Sequence, residues 1–139
     1  MKSAYIFDID GTLASMNGRK PYDIELIHKD LPIAPVVNLY KHLRQTTPHT
    51  FFLITGRGEE CRESTEAWLA KEGIEYDELH MRPLGDKQQD MVVKWGIYHE
   101  HLHGDYSIAG VFEDRLRCVR MWHELGLPVF RVGDPDADF

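Results

Sequence analysis

Short apolar runs alternate with longer segments of helical periodicity from one end of the chain to the other. Ala4-Tyr5-Ile6-Phe7 is aromatic and β-branched and predicts a buried strand. From Pro35 to about Gln45, Val36, Leu39, Tyr40 and Leu43 fall on one face, which predicts a helix with proline near its start. Thr50 to Ile54 is a second strand, and Cys61, Thr65, Trp68 and Leu69 mark a helix ended by Gly73. Glu78 to Arg82 gives a third strand with a weaker apolar signal. From Asp86 a helix carries Met91, Trp95, Tyr98 and Leu102 on one stripe, with Gly96 inside it. Ser107 to Phe112 is the fourth strand. Cys118, Val119, Trp122 and Leu125 define a last helix, closed by Gly126 and Pro128 before a strand at Val129 to Val132.

Strands alternating with helices predict an α/β, doubly wound, Rossmann-like parallel sheet of five strands with helices on both faces. Ala14 to Pro32, polar and punctuated by Asn17-Gly18 and Lys20-Pro21, is expected to be an irregular loop beside the strand ends. Without a repeat, low-complexity tract or linker, residues 1–139 are expected to form a single domain.

This layout sorts the polar groups. Asp8 and Asp10, Thr55 and Arg57, and Glu113 and Asp114 each follow a strand at its carboxyl end, the edge where open α/β sheets bind ligands. If extended backbone continues through Ile9, Asp8 and Asp10 project to the same side. Paired carboxylates repel, and a divalent cation or a retained proton relieves the repulsion; both suit phosphoryl transfer. Gly11 and Thr12 are expected to bring backbone N–H groups and a hydroxyl to an anion held there.

Composition narrows the reading. Hydrophobic residues at 42% and charged residues at 28% exclude a disordered or fibrous chain. Sixteen Lys and Arg against twenty-three Asp and Glu give a net charge of −7, which argues against a broad basic footprint on nucleic acid. A few local cations suffice to grip one terminal phosphate. No window approaches the roughly eighteen apolar residues of a membrane span and no signal-peptide core is visible, so a cytoplasmic protein with no membrane partner is expected. Cys61 and Cys118, far apart and without ligand spacing, are expected to be reduced thiols. His99, His101 and His103 match neither a helix face nor a zinc motif. The absence of a Gly-x-x-x-x-Gly-Lys-Ser/Thr loop argues against a kinase of the usual type.

With these residues assembled, the sequence resembles the haloacid dehalogenase superfamily of aspartyl phosphotransferases. Phe7 to Leu13 is similar to its first motif, Leu53 to Arg57 to its second and Phe112 to Arg115 to its fourth. The runs Asp8 to Asp23, Met81 to Lys94 and Gly133 to Phe139 look most like the 3′-phosphatase domain of bacteriophage polynucleotide kinase/phosphatase. The resemblance implies a Mg²⁺-dependent phosphatase acting on 3′-phosphorylated DNA or RNA ends, with a kinase or ligase activity fused to it or supplied separately.

Residue by residue, the resemblance implies Asp8 as nucleophile, Asp10 as general acid and base, Thr55 as a hydrogen-bond partner of the phosphoryl oxygens, and Lys94 as the neutralising cation. The spacing to Val92-Val93 favours Lys94 over Lys87 for that place. Asp8, Asp114, Glu113 and the carbonyl of Asp10 would hold Mg²⁺, and Thr12, Arg19, Arg57 and Asp90 would serve the substrate. Asp114 is also expected to cap the helix that follows. Two departures stand out: Gln88 occupies a place usually basic, and Glu113 replaces the first Asp of the usual pair. About forty residues between the first two motifs must also supply a helix, too few for a large cap domain of about fifty or more. A phosphatase of small nucleotides or other metabolites, and a non-catalytic module that binds phosphate ends, share these motifs. DNA versus RNA preference and oligomeric state are open.

Overall fold

The computed structural model describes residues 1–139. In chain order the elements are β1 (Lys2–Phe7), β2 (Ala14–Ser15), a 3₁₀ helix (Ile24–Lys29), β3 (Leu31–Pro32), α1 (Ala34–Thr46), β4 (Thr50–Gly58) and a 3₁₀ turn (Glu59–Cys61). There follow α2 (Arg62–Lys71), β5 (Glu78–Arg82), α3 (Asp90–His101), β6 (Tyr106–Glu113), α4 (Leu116–Glu124) and β7 (Val129–Arg131).

The expected α/β fold is present. Five strands pair in parallel in the order β5-β4-β1-β6-β7. The chain builds outward from β1 through β4 and β5, then returns to the other side of β1 for β6 and β7. The reversal places a crevice at the carboxyl end of β1, as in other doubly wound sheets.

Alternate strand residues face opposite layers. Phe7, Phe51, Leu53 and Phe112 pack with Tyr40 of α1 and Trp68 of α2, whereas Ala4, Ile6, Phe52 and Val111 pack with Ile97 of α3 and Trp122 of α4. Both layers bury large side chains, so the sheet is covered on each face. No helix is long and apolar enough to cross a membrane.

Three expectations change. Ala14 to Pro32 is not wholly irregular: β2 and β3 form an antiparallel ribbon, and the 3₁₀ helix between them plugs Ile27 into the core. The third helix starts at Asp90 instead of Asp86, because Asp86 Oδ1 accepts the N–H of Gln88 at 2.9 Å and folds that stretch into a turn. Its buried residues are Val93, Lys94, Ile97 and Tyr98, so the stripe is rotated and Trp95 is left 48% exposed.

Phe7 anchors the strand that carries the site. It is fully buried, stacks on Phe112 with ring centroids 4.2 Å apart and meets Tyr40 edge-on at 4.7 Å. Phe7→Ala is expected to destabilise the fold by about 3–5 kcal/mol, measured by urea denaturation. A cost under about 1 kcal/mol would mean that this stack is not part of the core.

Candidate active site

A cleft of about 810 Å³ opens at the carboxyl ends of β1, β4 and β6. Its floor is a buried ionic cluster. Strand β1 ends at Phe7, and the carbonyl of Ile9 then accepts the N–H groups of Thr12, Leu13 and Ala14 in one tight turn. The N–H of Gly11 goes to the carbonyl of Ala14. Those Gly11 and Thr12 donors are therefore spent inside the turn and do not face an anion, contrary to expectation. Gly11 has φ +82°, a left-handed conformation that favours glycine, and a Cβ there would run into the Asp114 carboxylate.

Asp8 is held from both sides. Lys94 Nζ donates to its Oδ1 at 2.9 Å, and the Thr12 hydroxyl to its Oδ2 at 3.2 Å. The same ammonium donates to Glu113 Oε1 at 2.7 Å, and Trp122 Nε1 reaches that oxygen at 3.4 Å. Glu113 Oε2 accepts the backbone N–H of Asp114 at 3.2 Å. One oxygen from each of Asp8, Glu113 and Asp114 falls within a 4.8 Å group. Two of these three carboxylates share one ammonium.

Burial and the Glu113 charge push the Asp8 carboxyl up to about 7, outweighing Lys94. Burial and the Asp8 charge push Asp114 to about 7 as well, so the two titrate as a coupled pair. Burial alone would favour a neutral Lys94, but Asp8 and Glu113 reverse this and hold it firmly protonated. The excess of negative charge, on hard oxygen donors, fits a divalent cation.

A second network forms the wall. Arg57 grips Asp10 with both arms, Nε to Oδ2 at 3.0 Å and a terminal N–H to Oδ1 at 2.7 Å, and also reaches Asp30 Oδ2 at 2.8 Å and the Thr65 hydroxyl at 3.1 Å. Arg19 holds Asp30 through both carboxylate oxygens at 2.6 and 2.9 Å. These side chains are nearly inaccessible, at 5% for Arg57, 4% for Arg19 and none for Asp30. Arg82 pairs with Asp90 and binds the carbonyl of Gly56 at 2.8 Å; Arg115 stands 3.5 Å from the other Asp90 oxygen. Gly56 makes room for this, since a Cβ there would meet Asp90 Oδ1 at 2.6 Å.

The structure brings Asp8, Lys94, Glu113 and Asp114 together, with Asp10, Arg19, Arg57 and Asp90 around them on the cleft. Two further expected contacts are engaged with protein groups in this structure. Thr55 is fully buried and off the cleft, its Oγ1 accepting the N–H of Arg57 at 3.1 Å, and the Thr12 hydroxyl is committed to Asp8. Asp114 makes no side-chain cap; Arg115 occupies that position. Sequence reasoning missed Asp30, Thr65, Arg82 and Trp122, none of which stands in a local pattern with its partner. His99 stacks on Trp95 and His101 on His80, away from this cluster.

A doubly wound sheet whose central strand delivers a buried aspartate to a lysine and two further carboxylates defines a phosphotransferase of the haloacid dehalogenase type. The family model for the polynucleotide kinase PNKP phosphatase domain matches residues 2–139, and the chain belongs to that family. It is 32% identical over 132 residues to a protein of Autographa californica nuclear polyhedrosis virus, provisionally described as a bifunctional polynucleotide kinase/RNA ligase, covering 93% of this chain and 19% of that one. Among solved structures it is similar to a chain of the Pnkp1/Rnl/Hen1 RNA repair complex, with a TM-score of 0.92 and 38% identity over 98% of this chain and 44% of that one. A second structure of the Pnkp1/Rnl/Hen1 complex gives 0.91 and 39%, covering 96% and 47%. The chain therefore spans less than half the length of these relatives.

Two outcomes test this geometry. Asp30→Ala strands Arg19 and weakens the hold on Arg57, and is expected to cost about 3–5 kcal/mol in urea denaturation, the toll of leaving buried charge unpaired. A loss within about 1 kcal/mol would reduce the network to the rank of an exposed ion pair. The second concerns pH. Because the folded Asp8 and Asp114 carboxyls titrate near 7, above their usual 3.8, the metal-free folded state keeps protons that the unfolded chain releases. Their contribution to stability is full below about pH 4 and is lost as pH rises through 7. Melting curves in chelator are expected to show this loss, with a shallower slope in Asp8→Asn and recovery on adding Mg²⁺. Identical slopes in the two proteins would refute the assignment.

Proposed function

We propose that the chain is a Mg²⁺-dependent polynucleotide 3′-phosphatase, a single domain that hydrolyses terminal 3′-phosphates of DNA or RNA through an aspartyl-phosphate on Asp8. The observation that carries the reading is the buried Asp8–Lys94–Glu113–Asp114 cluster at the floor of an open cleft, in a chain of the polynucleotide kinase phosphatase family.

Asp8 is the nucleophile. Its two oxygens are fixed by Lys94 and Thr12, so the carboxylate meets the phosphorus without first losing rotational freedom. Lys94 offsets the charge that accumulates during transfer. Asp10 is the general acid and base: it protonates the leaving 3′-oxygen, then removes a proton from the water that opens the acyl phosphate. Arg57 holds Asp10 to one rotamer through a two-point contact, and Asp30 and Arg19 buttress Arg57. Arg19 and Arg57 thus act on substrate chiefly by positioning and by their field on the cleft, and Asp90 by orienting Arg82 and Arg115. Thr55 supports the Arg57 turn from below. Asp8, Asp114 and Glu113, with the carbonyl of Asp10, would hold Mg²⁺, which supplies charge neutralisation at the phosphate.

The ribbon and 3₁₀ helix between β1 and α1 leave the cleft uncapped, as the end of a polymer requires. A kinase or ligase activity is the expected companion, fused or separate, since the viral relative is described as a polynucleotide kinase/RNA ligase.

Initial rates on a 3′-phosphorylated oligonucleotide, on free 3′- and 5′-mononucleotides and on p-nitrophenyl phosphate test the reading. The oligonucleotide is expected to be preferred, turnover to stop in chelator, and folded Asp8→Asn to lose at least about a thousandfold, as expected when a nucleophile is removed. A preference for the mononucleotide would move the assignment to small nucleotides. A folded wild type that turns over none of these with Mg²⁺ present would make it a binding module.

A further inference from the structure

Beside the cleft lies a groove that the proposed chemistry does not use. It has a volume of about 420 Å³ and runs between α3 and α4, lined by Met91, Val92 and Trp95 on one side and Arg117, Arg120 and Glu124 on the other. We propose that this groove holds the body of a single-stranded polynucleotide whose 3′ end lies in the cleft, with a base stacked on Trp95 and backbone phosphates on Arg117 and Arg120. The substrate's 3′ end rests on the phosphatase reading; the groove's affinity for a strand does not.

Three observations support a strand here. First, groove and cleft are served by the same two helices: Asp90 and Arg115 stand on the cleft, and Met91 and Arg117, one and two residues further on, line the groove. Second, Arg117 and Arg120 are exposed and enter no ion pair, whereas Arg19, Arg44, Arg57, Arg62, Arg82 and Arg115 all face carboxylates. In a chain of net charge −7, two adjacent unneutralised guanidinium groups mark a local preference for an anion. Third, Trp95 is 48% exposed and braced by the His99 ring at 3.9 Å, so an indole face is held ready beside those cations.

A cationic track with an aromatic platform is the recurring way of holding single strands without reading sequence. Arg117 and Arg120 lie about one turn apart on α4, and Glu124 at its end repels phosphate, which limits the track to the turns nearer the cleft. A protein partner would cover Met91 and Val92 but would leave the two unpaired cations without a purpose.

The test uses the intact chain and a 5′-fluorescein oligodeoxynucleotide of about six nucleotides ending in a 3′-hydroxyl, so that binding is read by anisotropy without catalysis. Trp95→Ala is expected to weaken binding about tenfold or more, Trp95→Phe to restore most of it, and Arg117→Ala or Arg120→Ala each to lower the salt slope by about 0.7. All four variants are expected to turn over p-nitrophenyl phosphate like the wild type. On 3′-phosphorylated substrates of increasing length, the wild type is expected to gain in kcat/KM over the mononucleotide, and the Trp95→Ala enzyme to lose that gain. Wild-type affinity and wild-type length dependence in the variants, or no binding of the oligonucleotide by the wild type, would overturn the proposal and leave the groove to a protein partner. A chain that bound the strand through Trp95 but lacked phosphatase activity would overturn the catalytic reading and support the groove.

Discussion

The Lys94 ammonium is the constraint on which the rest of the structure depends. A fully buried cation costs several kcal/mol in lost hydration unless its donors find anions at close range. Lys94 finds two, one just past the end of β1 and one on β6, and comes itself from α3. One charge therefore ties the central strand to its neighbour and to the helix covering that face. It does not balance the site: with Asp114 added, three carboxylates remain against one ammonium. The imbalance is the functional half of the arrangement, because it leaves a deficit that protons or a divalent cation fill.

The wall follows the same logic with the signs more evenly matched. Arg57 and Arg19 face Asp10 and Asp30, two charges against two, and every arm of Arg57 has a partner. Such a set is rigid, since removing Asp30 leaves Arg19 buried and unpaired and removing Arg57 leaves Asp10 without a cation. The floor is poised to change its charge and the wall is built to keep its place. That division is what a two-step displacement needs, with a nucleophile whose environment changes and an acid–base group that stays in place.

Local signals made much of this legible. Short β-branched and aromatic runs disclosed the strands, and the polar residues that end them lie at one edge because parallel crossover connections require it. Asp8, Asp10, Glu113 and Asp114 were visible for that reason. Asp30 was not: its partners Arg19 and Arg57 lie on either side of it in the chain at no structural period, and only the fold brings them together. Nor could the sequence show that Thr12 and Thr55 point into the protein, since a hydroxyl after a strand serves a turn or a ligand equally well. The ribbon of β2 and β3 escaped notice because each strand has only two residues, too few for a pattern.

The misread rotation of α3 has a single cause. Periodicity alone places Trp95 in the core with Met91, Tyr98 and Leu102, since apolar residues recur there at helical spacing. Lys94, next to Trp95 on the helix, must face Asp8 and Glu113, and a residue one position along an α-helix points about 100° away. The ion pairs outweigh the burial of one indole, worth on the order of 2–3 kcal/mol, because the alternative strands a lysine opposite two buried carboxylates at about 3–5 kcal/mol. Val93 and Ile97 take the inward places beside Lys94, and Trp95 is turned out toward the groove with α4. The charge that organises the floor of the cleft thus also sets an exposed aromatic ring at its border.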